Sequence, residues 1–283
     1  QPDVVVTTHP SFVYLLVRYR QMHAATWSIV VLVTDLARLQ RLWFRPEVDL
    51  YLVPTPEAAA LARQRGIRSE RIHVTGIPVD LRLDDQYRSR AELRAAYGWE
   101  GKLPVVLAAG SRRVHEFPTF LRALNDARLP IQLAVVTGDD ANLLAEVQAI
   151  PWKLPVHLFG YVGDLPERLR AADAVVTKAG GLTVAESLAA GRPLFIIQCT
   201  PMHEKGNAGY VVAAGAGVIA ESPAALVRAL HTALADDGRL LAEMAENARA
   251  AGRPRAAWHV AELVWAQAEQ RMPSPDFARV HER

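Results

Sequence analysis

Short runs of β-branched and aliphatic residues alternate with helix-patterned stretches along almost the whole chain. No other feature restricts the fold as strongly. Apolar runs fall at 4–7, 29–33, 50–53 and 72–75, and a second series falls at 105–109, 133–136, 156–159, 174–177 and 194–197. Several are apolar at every position, not at every other one, which marks strands buried on both faces. Helical patterns fit between them at 11–21 (with Ser11 as its cap), 56–65, 118–127, 141–149, 165–171 and 183–190, and beyond the last run at 208–214, 223–236, 240–249 and 256–270. Strand–helix alternation of this kind builds doubly wound parallel sheets. The charged stretch 80–94 separates the two series. The expectation is an α/β chain of two Rossmann-like domains: a first over 1–82, a second over 83–255, and a helix and polar tail over 256–283 that pack back on the first.

Composition narrows the function classes. The 283 residues are 51% hydrophobic and 22% charged, enough to fill two cores and too apolar for general disorder. Cys199 is the single cysteine, which excludes a disulfide framework, and its apolar neighbours suggest a buried thiol. A net charge of +2 is not the footprint of a nucleic-acid binder. No apolar stretch reaches the ~20 residues of a membrane span. The nine histidines are scattered without metal-ligand spacing, so no metal site is expected. The chain opens with Gln1 inside a strand-like run, which suggests that sequence upstream has been removed.

Polar chemistry gathers where the second series of strands ends, the edge at which doubly wound sheets bind ligands. The stretch 177–186, TKAGGLTVAE, reads as strand, glycine turn and helix start. Such a helix end offers outward N–H groups and a positive dipole to a diphosphate, with Lys178, Gly180, Gly181 and Thr183 beside it. Glu186, about a turn further on, suits the two hydroxyls of a sugar. The other reading is a plain glycine turn with a helix-stabilising glutamate. The loop 200–208, TPMHEKGNA, carries His203, Glu204, Lys205 and Asn207, a mixture of donors and acceptors suited to a polyhydroxylated ligand. An ordinary polar capping loop is its alternative. Gly110, Ser111, Arg112 and Arg113 could meet a diphosphate, and the backbone around Tyr161 and Val162 could clamp a flat ring edge.

In the first domain, His9 and Asp35 stand at successive strand ends as candidate polar groups of a cleft, although His9 could equally cap a helix. Leu42, Trp43 and Phe44 sit among Arg38, Arg41 and Arg45. An apolar triplet ringed by cations can dock on an anionic membrane, and packing into the core is its other reading.

These motifs together resemble glycosyltransferase family 28 of the GT-B fold, and within it the monogalactosyldiacylglycerol synthases and processive diacylglycerol glucosyltransferases. The resemblance is carried by residues 2–10, by 33–35 with Trp43 and Phe44, by 76–79, by 160–162 and above all by 177–186 and 203–207. It implies a hexosyltransferase with a UDP-sugar donor in the second domain and no further cofactor. Gly180, Gly181 and Thr183 would meet the diphosphate, Glu186 the ribose, Tyr161 and Val162 the uracil, and Glu204 and Asn207 the sugar. The first domain would bind a lipid acceptor such as diacylglycerol, with Trp43 near its mouth, on a protein held peripherally at the cytoplasmic face of a membrane. The peptidoglycan N-acetylglucosaminyltransferase is a poorer match, carrying His-Gln where this chain has His203-Glu204. The family's Gly- and His-rich first loop, where the general base is expected, has no counterpart here. The first domain is therefore expected to be incomplete, with exposed sheet edge, and a partner chain could supply the rest. The other readings are a UDP-sugar-binding module inactive alone and a UDP-sugar 2-epimerase.

Overall fold

The computed structural model describes residues 2–84, 88–99, 101–110, 114, 116–200 and 203–270, with the His203 side chain left out. The chain divides into two compact units. The first comprises residues 1–34, 40–75 and 258–283, and the second 35–39 and 76–257.

The first unit holds β1 (Val4–Thr7), α1 (Pro10–Met22), β2 (Ser28–Leu32), β3 (Leu50–Val53), α2 (Pro56–Gln64) and β4 (Ile72–Val74). The strands form a parallel sheet in the order β1-β2-β3-β4. Every residue of β2 and β3 is buried, as their unbroken apolar runs require. On one face, Val30, Leu32, Leu50 and Leu52 pack against Val260, Leu263 and Val264 of α10 (Ala256–Glu269), and Gln267 donates to Ser28 Oγ at 3.1 Å. Helix α1 buries Val13 and Val17. It leaves Phe12, Leu15, Tyr19 and Met22 exposed along one stripe. Its cap is His9, whose Nδ1 accepts from the Ser11 N–H at 3.3 Å, so Ser11 is inside the helix.

The second unit holds α3 (Arg90–Tyr97), β5 (Val105–Ala109), α4 (Phe117–Ala127), β6 (Gln132–Val136), α5 (Ala141–Gln148), β7 (Val156–Phe159), α6 (Leu165–Ala171) and β8 (Ala174–Lys178). It continues through α7 (Gly181–Ala189), β9 (Leu194–Gln198), α8 (His203–Ala213), β10 (Gly217–Ile219) and α9 (Pro223–Ala251). Helix α9 is broken at residues 235–238, where Asp236, Asp237 and Gly238 take positive φ. Six parallel strands run in the order β10-β9-β8-β5-β6-β7. Alternate residues of one strand feed two cores. Leu107, Val175 and Ile196 face one side, and Val106, Val176 and Phe195 face the other. Ser89 and Glu92 form a capping box at α3, inside the stretch read from sequence as linker and opening helix. Asp173 then ties α3 to the sheet. Its carboxylate takes Arg90 and Arg94 and accepts the Val105 N–H at 2.7 Å.

No helix of the described residues is long and apolar enough to cross a membrane.

Candidate functional site

The carboxyl ends of β5, β6, β7 and β8 surround a cavity of about 270 Å³. Its walls bring together Gly110, Tyr161, Val162, Lys178 and Thr183, five of the residues singled out above, beside Gly138 and Leu165. Gly110 is needed for packing. A Cβ there would stand 2.3 Å from the ring of Phe117, which is fully buried at the start of α4. Tyr161 projects almost freely, 80% exposed. Ser111, Arg112 and Arg113 lie outside the described residues.

Helix α7 opens on this cavity. Gly180 is its N-cap and makes no side-chain capping bond, so the first N–H groups keep their donors. Gly180 has φ of −66°, a conformation open to any residue. A Cβ there would stand 3.5 Å from Lys178 Nζ, an ordinary contact, so neither backbone strain nor crowding requires glycine at this position. Lys178 itself is re-aimed by a shift in register between β8 and β9 at Thr177/Lys178.

Glu186 is the sixth residue of α7, nearly two turns in, deeper than the single turn expected from sequence. Burial pushes its carboxyl up to about 7, and the charge of Asp80 adds to this. Among the described residues it has no hydrogen-bond or ion-pair partner. A half-buried acid with a raised pKa and no internal partner marks a candidate binding residue.

The β9–α8 turn differs from the sequence reading. The polar stretch was expected to be a loop with the helix starting near 208, but α8 begins at His203. Glu204, 4% exposed, pairs with Lys178 Nζ and accepts the Thr200 N–H at 2.7 Å. Burial alone would raise its pKa, but these two partners hold it below the usual carboxylate range. Asn207 is fully buried. Its Oδ1 accepts the Leu36 N–H at 3.0 Å and its Nδ2 donates to the Ala179 carbonyl at 3.1 Å. Both side chains are thus committed within the protein. Lys205 is exposed, and the His203 side chain is outside the described residues.

Asn207 also exposes something the sequence reading missed. Residues 35–39 belong to the second unit although they follow β2 of the first. Leu36 is buried in the second unit's core. Gly206 lets the segment lie flat, because a Cβ at 206 would stand 2.7 Å from Arg38 N. Asp35, half-buried, is part of this segment, whereas His9 caps α1 in the first unit. The sequence signal nearest to it was the glycine beside Asn207, which the reading of 200–208 as a polar loop did not single out.

Trp43 and Phe44 are 1% and 7% exposed. The docking reading therefore does not fit them, and the core reading does: both are buried in the first unit, with the Phe44 ring 5.9 Å from that of Tyr51. Leu42, at 48%, is the exposed member of the triplet. Burial holds the Cys199 thiol up at about 11, so it stays protonated at neutral pH. Among the described residues no group of three or more His, Cys, Asp or Glu side chains is placed to hold a metal ion.

Comparison with known proteins agrees with this geometry. Residues 110–260 match the model of the glycosyltransferase family 28 C-terminal domain, and residues 1–79 match that of monogalactosyldiacylglycerol (MGDG) synthase. A probable monogalactosyldiacylglycerol synthase of Glycine max is 28% identical over 98% of this chain and 54% of its own length. The chain thus spans about half the length of this curated relative. MurG of Acinetobacter baumannii superposes with a TM-score of 0.67 at 18% identity, over 93% of this chain and 73% of its own. UDP-GlcNAc 2-epimerase of Neisseria meningitidis, bound to UDP-GlcNAc, gives 0.65 at 14% identity, over 94% and 76%. These likenesses establish the GT-B fold. Because the family 28 model covers more than half of the sequence, the chain belongs to glycosyltransferase family 28.

Proposed function

We propose that the protein moves a hexose from a UDP-sugar to a hydroxyl of a membrane lipid such as diacylglycerol, with inversion at the anomeric carbon. The observation that carries this reading is Glu186, half-buried, unpartnered and two turns behind the uncapped N-terminus of α7. A ribose diol supplies the two donors it lacks, and a diphosphate suits the N–H groups in front of it. The uracil edge would meet the backbone at Tyr161 and Val162. A solved GT-B structure in complex with UDP-GlcNAc supports the ligand class. The curated relatives' names support the sugar and acceptor.

In the transfer, the acceptor oxygen forms a bond to the anomeric carbon as the bond to the diphosphate breaks. A base takes the hydroxyl proton, for which His9 and Asp35 are the candidates on this chain. The leaving diphosphate is stabilised by the α7 dipole and by Lys178, whose ammonium Glu204 keeps in place. Glu204 and Asn207 act here by positioning, through Lys178 and the 35–39 segment, and not by gripping the sugar. The exposed stripe Phe12, Leu15, Tyr19 and Met22 on α1, with Leu42 beyond it, supplies the apolar surface for peripheral contact with a membrane.

The test is calorimetric titration with UDP, followed by incubation with UDP-galactose or UDP-glucose and vesicles containing diacylglycerol. Saturable UDP binding with transfer of label to lipid is the expected result. Binding without transfer would leave a donor-binding module that needs further chain for activity. Conversion of UDP-GlcNAc to its 2-epimer would replace the transferase reading with the isomerase one.

A further inference from the structure

The second unit holds a further cavity that is larger than the one just described. A recess of about 580 Å³ opens at the opposite end of the same sheet, where the chain leads into β5, β6, β8 and β9. Its basic wall is Arg90, Lys102, Arg192 and Arg249, and Arg94 stands behind them. The acid among them is already used, since Asp173 takes Arg90, Arg94 and the Val105 N–H. Lys102, Arg192 and Arg249 make no ion pair among the described residues. Arg192 is fixed by its Nε, which donates to the Ala190 carbonyl at 2.9 Å. Burial pushes its pKa down to about 9, helped by the charges of Arg90, Arg249 and Arg94 and opposed by Asp173. It remains charged at neutral pH, with Asp173, already shared by Arg90 and Arg94, as the carboxylate that offsets it.

Helix α9 lines the recess as well, and it is mixed in charge. It contributes Arg249 to the basic groups, and it also presents Asp237, in a left-handed conformation, and Glu246, neither of which has an ion-pair partner among the described residues. Leu103, Leu234 and Leu241 complete the lining. A simple anion would satisfy the cations and would be repelled by Asp237 and Glu246. A ligand that carries an anion at one end and hydrogen-bond donors at the other satisfies both.

We propose that this recess is a second ligand site, which takes a phosphate ester bearing hydroxyl groups. The phosphate lies against Arg192, Arg249 and Lys102, and the hydroxyls donate to Asp237 and Glu246. Arginine forks suit phosphate oxygens, and carboxylates suit vicinal hydroxyls. A free sugar phosphate and a phospholipid with a polyol headgroup share this chemistry.

The experiment titrates the 283-residue chain, with UDP saturating throughout so that the α7 end is filled. The probes are inorganic phosphate, glucose 6-phosphate and vesicles of phosphatidylcholine and phosphatidylinositol. Glucose 6-phosphate is expected to bind saturably and more tightly than inorganic phosphate. Lys102→Gln combined with Arg249→Gln changes two exposed side chains, and it is expected to weaken that binding about tenfold or more. Glu246→Gln is expected to weaken glucose 6-phosphate but not inorganic phosphate. Vesicle binding that is lost in the double variant would assign the same site to a lipid headgroup. The proposal is overturned if no probe binds, if the double variant binds like the parent, or if the two soluble probes bind alike. A failure to bind UDP would overturn the donor reading and leave the comparison of parent and double variant intact.

Discussion

Two neighbouring strand ends carry the polar residues that looked most functional, and they have met opposite fates. At the β8–α7 end the groups are left open: an uncapped helix, and a half-buried Glu186 with no partner. At the β9–α8 end they are consumed. Glu204 is taken by Lys178 and Thr200, and Asn207 by Leu36 and Ala179. Residue types alone did not separate the two. What separates them is whether the protein supplies the missing half of each hydrogen bond, since a group without an internal partner stays available to solvent or a ligand.

The sharpest test of this contrast is Asn207→Leu. It removes the acceptor of the Leu36 N–H and the donor to the Ala179 carbonyl, and an expected stability loss of about 2–3 kcal/mol would be read by urea denaturation. A loss near zero would mean that Asn207 is not committed as described. Glu186→Ala attacks the open end. It should weaken UDP binding about 100-fold, the cost of two hydrogen bonds to a charged acceptor, with little change in melting temperature. Equal binding by the two proteins would remove the ribose from Glu186.

A subtler effect follows from the raised pKa. In the proposed complex the diol binds the ionised carboxylate, so protonation competes as pH falls below about 7. UDP-glucose carries no ionisable proton near that range, and its affinity should drop about tenfold per pH unit below 7 and level off above. A flat profile between pH 5 and 8 would argue against an ionised Glu186 as the acceptor. The smallest effect concerns the free protein. A carboxyl raised in the folded state stabilises fully below its unfolded value of 4.5 and loses that contribution as pH rises through about 7. Glu186→Gln should therefore raise stability at pH 8 by about 1 kcal/mol, and by less at pH 5, in thermal melts without ligand.

Much of the architecture was legible before any coordinates. The strands of both series are recovered to within a residue or two, because buried parallel strands are apolar at every position and such runs stand out. The β10 strand was not legible, being three residues long and followed by the apolar start of another helix. The start of α8 was misplaced because Gly206 reads locally as a breaker, while its reason is the close approach of Arg38. Trp43 and Phe44 were ambiguous in sequence for a similar reason. An aromatic pair among arginines has the same composition whether it faces solvent or core. The capping by His9 and the depth of Glu186 depend on where a helix begins, the least certain boundary in any pattern. Neither the Asp173 junction nor the 35–39 segment has a local signature, since each joins residues far apart along the chain.

That last segment bears on how such a protein can be inherited. Each unit looks like a cassette, yet five residues of the second are encoded between two strands of the first, and the helix that covers the first unit's sheet is encoded after the second. No single crossover in the gene yields either unit whole. A swap that brought in residues 76–257 from another source would remove Asn207 and set Leu36 against a second unit that did not evolve with it. Exchange of second units between relatives is thereby restricted to partners that match at residues 35–39, and lineages built this way should keep that short stretch and the Gly206–Asn207 pair changing in step.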